Sequence, residues 1–63
     1  MARNVTAHDL RDAVLDRGEV VILVDGDTYC AAVYEEPGVA MPLHEPTTDW
    51  DEADRWAAMP RRR

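Results

Sequence analysis

The sequence predicts an α+β protein in which a short helix packs on an antiparallel β-hairpin, followed by a proline-rich extended arm and a short C-terminal helix. Three observations predict it. Helical spacing runs through residues 7–17, an Asp25-Gly26 dipeptide separates two apolar stretches, and three prolines precede a second capped segment. We divide the 63 residues into a helix-plus-hairpin core at 1–36 and an arm with a short helix at 37–63.

The first predicted element is a helix of about three turns, the usual length in globular proteins. Thr6 followed by Asp9 fits a capping box, in which the hydroxyl accepts from a free amide of the first turn. Gly18 is a natural helix stop. The apolar positions follow helical spacing: Ala7, Leu10, Ala13 and Val14.

The second element is a β-hairpin around "VDGD", residues 24–27. Asp25-Gly26 is typical of the two central residues of a type I′ turn, and this placement pairs Val24 with Asp27. One face of the hairpin then carries Val20, Ile22, Val24, Tyr29, Ala31 and Val33. The other carries Val21, Leu23, Thr28, Cys30 and Ala32.

Both hairpin faces are therefore apolar, although an antiparallel sheet with one wet face alternates apolar and polar residues. The first helix can cover only one face. The second must be covered by the C-terminal segment or by the hairpin of another copy of the chain. Four residues form the hairpin interface predicted for the dimer: Val21, Leu23, Cys30 and Ala32.

The third part is a proline-rich arm that ends in a short helix. Pro37, Pro42 and Pro46 favour an extended path with turns. The segment "TTDWDEADRWAAMP" is typical of a helix capped by Thr48 or Asp49.

The C-terminal helix is the predicted partner-binding element. Tryptophan is enriched among interface hot spots, and acidic neighbours steer a segment towards a basic surface. The predicted binding residues are Trp50, Asp51, Glu52, Trp56 and Met59. In the alternative interpretation, the two tryptophans cover this chain's own hairpin. No role is assigned to the terminal arginines, Arg61 to Arg63.

Composition limits the possible partners. The net charge is −6 and the pI is near 4.6, so we expect a basic protein partner and no direct binding of nucleic acid. Cys30 is the only cysteine, which rules out an intrachain disulfide. Because so small a core needs further support, we expect a homo- or hetero-oligomer. The longest apolar run, Val20 to Val24, is too short to span a membrane, and the N-terminus lacks a secretory apolar core. We expect a cytoplasmic chain with no membrane contact.

No catalytic or metal-binding set is predicted. His8 and His44 lie in different segments without zinc-like spacing, and Cys30 sits in the middle of a strand among acids, where a small core residue is expected. We therefore predict no enzyme activity, no cofactor and no metal.

The segment from Val5 to Val33 resembles the N-terminal module of the prevent-host-death (Phd/YefM) antitoxins. The resemblance is carried by Thr6 and Asp9 at a helix start and by a Gly18-Glu19-x-Val21 strand. It implies an initial strand at residues 4–6, a dimer and neutralisation of a basic toxin. Looser similarity to MazE-like antitoxins implies the same function. In the Phd/YefM family basic residues follow the first hairpin strand, but here 24–27 is Val-Asp-Gly-Asp, so operator binding is not carried over.

Three functions follow from these observations. The first is an antitoxin-like inhibitor that dimerises through its hairpin and binds with its tail. The alternative is a structural or accessory subunit of a larger assembly, for example a phage particle protein. The third is an acidic DNA mimic, because Asp9, Asp12 and Asp16 would share one face of the first helix.

Overall fold

The structure is a computed structural model that describes residues 2–59, so Met1, Pro60 and Arg61 to Arg63 lie outside it. It contains a mixed four-stranded sheet in the order β1-β2-β3-β4 and a C-terminal helix, which confirms the α+β class. The elements are β1 (Arg3–Thr6), β2 (Val20–Asp25), β3 (Thr28–Glu36), β4 (Val39–Pro42) and α1 (Trp50–Ala58). The division predicted after residue 36 falls inside this sheet, between β3 and β4.

The β2–β3 hairpin forms at the predicted place with a different turn. Asp25 pairs with Thr28, so Gly26 and Asp27 are the central residues. Gly26 has φ +61°. Within residues 2–59 only glycines have a positive φ, so φ of Asp27 is negative. This pattern is a type II′ turn, so the predicted type I′ turn and its pairing of Val24 with Asp27 are wrong.

The two faces of the hairpin nevertheless carry the predicted side chains. Val24 pairs with Tyr29, and Ile22 pairs with Ala31. Each partner is displaced by two residues from the predicted one, and side chains alternate with a period of two. A shift of two residues therefore changes every pair and leaves each side chain on its face.

The predicted first helix is wrong. After β1, residues 7–12 form consecutive turns, and residues 13–16 have no regular structure. The Thr6 hydroxyl accepts from the Asp9 amide at 3.0 Å, as predicted for a cap, and the Ala13 amide donates to the Asp9 carbonyl at 3.0 Å. One helical turn therefore begins and is not continued.

The topology explains why the helix stops. β1 pairs with β2 in parallel, so the connection over residues 7–19, the crossover segment, must return along the sheet before β2 can start. Burial then alternates: Ala13 and Leu15 are half-buried, whereas Val14 is 90% exposed. This period of two indicates an extended chain. A short helix is only marginally stable alone, so packing of Leu15 outweighs the helical preference.

Each face of the sheet is covered by one segment of the same chain. The crossover segment lies on the face of Val5, Val21 and Tyr34 and buries Leu10 there. Helix α1 packs against β2 and β3 and buries Ala53 completely. Ile22 and Ala31, fully buried on the opposite face from Val21, lie on the α1 side.

Helix α1 confirms the predicted C-terminal helix. Its N-cap is Asp49, whose side chain accepts from the Asp51 amide at 3.0 Å. Asp51 and Glu52 in the first turn and Arg55 in the last complement the helix dipole.

Replacing Ile22 with Ala should destabilise the fold by about 2–5 kcal/mol, because Ile22 is fully buried and its removal leaves a cavity. Urea unfolding monitored by circular dichroism measures this free energy. The matched control is Met41→Ala, at a strand residue 57% exposed, which should change stability by less than about 1 kcal/mol. Equal losses in both variants would contradict the assignment of Ile22 to the core.

Candidate interaction surfaces

The predicted hairpin interface lies inside the chain. Val21 and Ala32 are fully buried, Cys30 is 8% exposed and Leu23 is half-buried. Their face of the sheet is the one that the crossover segment covers. In the described structure these side chains are part of the core and offer little surface to a second chain.

Both predicted tryptophan anchors are half-buried against the chain itself. The Trp50 indole Nε1 donates to the Asn4 side-chain oxygen at 3.2 Å, which ties α1 to β1. The Trp56 ring stacks on His44, with the centroids 5.2 Å apart and the planes 15° from parallel. Both indoles therefore contact other segments of the same chain: Trp50 contacts β1, and Trp56 contacts the segment between β4 and α1.

His44 closes the outer edge of β3, a role that the sequence did not indicate. β4 pairs with β3 as far as Ala32, and the next outward amide, that of Ala31, donates to His44 Nε2 at 2.9 Å. Because Nε2 accepts, the neutral ring carries its proton on Nδ1, which lies 2.6 Å from the Glu45 carbonyl oxygen and donates to it. The imidazole thus takes the place of a strand carbonyl.

Two further contacts complete this edge. The Leu43 amide donates to the Ala31 carbonyl at 2.8 Å, and Tyr29 and Thr47 exchange backbone hydrogen bonds of 2.7 and 2.9 Å. The Cys30 thiol donates to the His44 carbonyl at 3.1 Å. The segment between β4 and α1 is therefore anchored along β3, which fixes where α1 begins.

The remaining predicted binding residues differ in how exposed they are. Asp51 is exposed, and Met59 is 48% exposed just beyond the helix. Glu52 is half-buried and accepts from the Thr47 hydroxyl at 3.1 Å. Of the five predicted residues, Asp51 and Met59 are thus the ones most available to a partner.

The two edges of the sheet differ. Just after β4, the Leu43 amide points towards β3. Because the backbone groups of successive strand residues point to opposite sides, those of Pro42 point away from the sheet. Proline has no amide to offer another strand, and it blocks this edge. On β1, the Ala7 amide donates to Val24, so the backbone groups of Asn4 and Thr6 face outward. β1 carries no proline.

The described residues also form an open depression on the surface. Its volume is about 460 Å³, and it is lined by Ala7, His8, Arg11, Asp12 and Gly38. Within residues 2–59, no group of three His, Cys, Asp or Glu side chains converges as metal ligands. The helix that would align Asp9, Asp12 and Asp16 on one face is not formed.

None of the helices described has the length and the apolar character needed to cross a bilayer.

No protein-family model, no curated protein and no solved structure matches the chain.

Replacing His44 with Ala should destabilise the fold by about 1–3 kcal/mol, because the Ala31 amide loses its acceptor inside the structure. The amide of Ala31 should also exchange with solvent faster in the variant. Urea unfolding and NMR hydrogen exchange measure these two effects.

His8→Ala is the matched control, since His8 is exposed on the crossover segment. It should leave both quantities near those of the parental chain. Slow Ala31 exchange in His44→Ala would show that the imidazole is not the acceptor.

Proposed function

We propose that the protein is a small, non-catalytic interaction module that binds a basic protein partner and acts as an antitoxin-like inhibitor. The observation that carries this proposal is the acidic composition of the chain, with 13 Asp and Glu against 7 Arg. Within residues 2–59 no charged side chain is buried, and Arg17 with Glu35 at 3.6 Å is the one ion pair. Such a surface attracts basic molecules and accelerates their encounter.

The proposed contact surface is the outer side of α1. Ala53 marks the side of the helix that faces the sheet, and Asp51 and Arg55 lie nearly opposite it at helical spacing. Asp51 supplies negative charge, Met59 supplies an exposed apolar side chain, and Arg55 can donate two hydrogen bonds to an acid of the partner.

The packing of α1 supports binding with little ordering cost. Asp49 caps the helix, and His44 and Asn4 hold the two indoles. A helix held in this way before binding loses less conformational entropy than a tail that folds on its partner. This proposal assigns Trp50 and Trp56 to positioning the helix.

A second candidate function is that of an accessory or structural subunit that joins a larger assembly through its sheet. The open edge of β1 favours it, because an exposed strand can add to a neighbouring sheet by main-chain hydrogen bonds. Here the partner surface would include Asn4 and Thr6, and charge on α1 would matter little.

Asp51→Arg should separate these functions. The tagged full chain is used to capture proteins from a lysate of the organism that encodes it, and the bound proteins are quantified by mass spectrometry. We expect a basic protein whose capture falls at least about tenfold in Asp51→Arg, since the reversed charge repels it.

The matched control is Asp12→Arg, which makes the same charge change at an exposed residue of the crossover segment, on the opposite face of the sheet from α1. It should retain the partner. If both variants retain the partner equally, α1 is not the binding surface. If the captured partner is acidic, the proposal of a basic target fails.

A further inference from the structure

β1 is the open edge of the sheet, and its surroundings suit a second strand. Val14, the most exposed large apolar residue described, lies beside β1, because the Arg3 guanidinium donates to the Val14 carbonyl at 3.3 Å. Trp50 flanks the same strand through its bond to Asn4. Arg3 and Asn4 are successive strand residues, so these two contacts lie on opposite faces of the sheet. The open edge of β1 therefore lies between the crossover segment on one face and α1 on the other.

The outward backbone groups of β1 are self-complementary. Asn4 and Thr6 each direct an amide and a carbonyl outward, as the Ala7 bond to Val24 and the alternation of the strand require. In an antiparallel pair, residues directly opposite each other exchange both hydrogen bonds. Asn4 of one copy can therefore pair with Thr6 of another, and the reverse, around a twofold axis at Val5. The Thr6 carbonyl already accepts from the Asp9 amide and has a second lone pair for this bond.

The two ends of β1 carry opposite charges. Arg3 begins the strand, and Asp9 follows closely after its end at Thr6. Both side chains are exposed. Antiparallel self-pairing brings the start of each strand to the end of the other, so each Arg3 approaches the Asp9 of the other copy. The reciprocal pairs partly offset the repulsion between two chains of net charge −6.

We propose that the occupant of this edge is a second copy of the chain, and that two copies join through β1 into one continuous eight-stranded sheet. Pro42 blocks the far edge, β4, so the assembly closes as a dimer and does not grow into a fibre. The contact involves a strand of 4 residues, and we therefore expect a weak, concentration-dependent dimer. This inference concerns the chain alone and does not depend on the proposed basic partner.

A charge-swap experiment tests the dimer by sedimentation equilibrium across a range of protein concentrations. The parental chain should dimerise with increasing concentration. Arg3→Asp and Asp9→Arg should each raise the dimer dissociation constant at least about tenfold, because each places like charges opposite one another. An equimolar mixture of the two variants should dimerise again, since it restores both pairs of opposite charges.

A control mixture of Arg55→Asp and Asp27→Arg has the same net charges but changes residues away from β1. This mixture should dimerise no more tightly than the parental chain. The proposal is overturned if the parental chain stays monomeric at millimolar concentration or if neither β1 variant weakens the dimer. It is also overturned if mixing raises the dimer affinity, relative to the single variants, as much in the control mixture as in the mixture of β1 variants.

A second measurement on the parental chain does not depend on whether the variants fold. An isotope-filtered NOE experiment on a mixture of labelled and unlabelled protein should show intermolecular contacts between Asn4 and Thr6. Intermolecular contacts confined to other parts of the chain, or none at millimolar concentration, would overturn the proposal.

Discussion

Both faces of the β2–β3 pair carry apolar side chains, and the rest of the structure depends on covering them within 63 residues. Burying one large aliphatic side chain contributes about 1.5–3 kcal/mol, so neither face can be left to solvent without a large loss. The crossover segment covers the face of Val21, and α1 covers the face of Ile22. Each cover is a short segment that would be only marginally stable alone.

The cover supplied by α1 depends on polar contacts at the edge of β3. His44, Leu43 and Thr47 continue the pairing of this strand after β4 ends, and His44 also stacks on Trp56. One imidazole therefore links the sheet to the helix. Both tryptophans make contacts inside the chain, and the surfaces that we propose for partners are therefore the outer side of α1 and the open edge of β1.

The elements that local chemistry specifies could be predicted from the sequence. Gly26 located the hairpin, alternation assigned its faces, and Asp49 was among the predicted caps of α1. The rest depends on contacts between distant residues. The crossover segment has helical spacing, but parallel pairing of β1 with β2 draws Leu15 inward and leaves Val14 exposed. Nothing local to His44 indicates that its ring accepts from Ala31, 13 residues earlier. Val21 and Ala32 were predicted at an interface because the sequence does not indicate which of the two hairpin faces the segment over residues 7–19 covers.

NOE spectroscopy of the dilute monomer tests whether one chain covers both faces of its own hairpin. We expect contacts between the Trp56 and His44 rings, between the Trp50 indole and Asn4, and between Leu10 and Val21. Contacts for Leu10 without those for the tryptophans would show that α1 is not docked and that another chain must cover the face of Ile22. Coverage of both faces by a single chain would then be wrong.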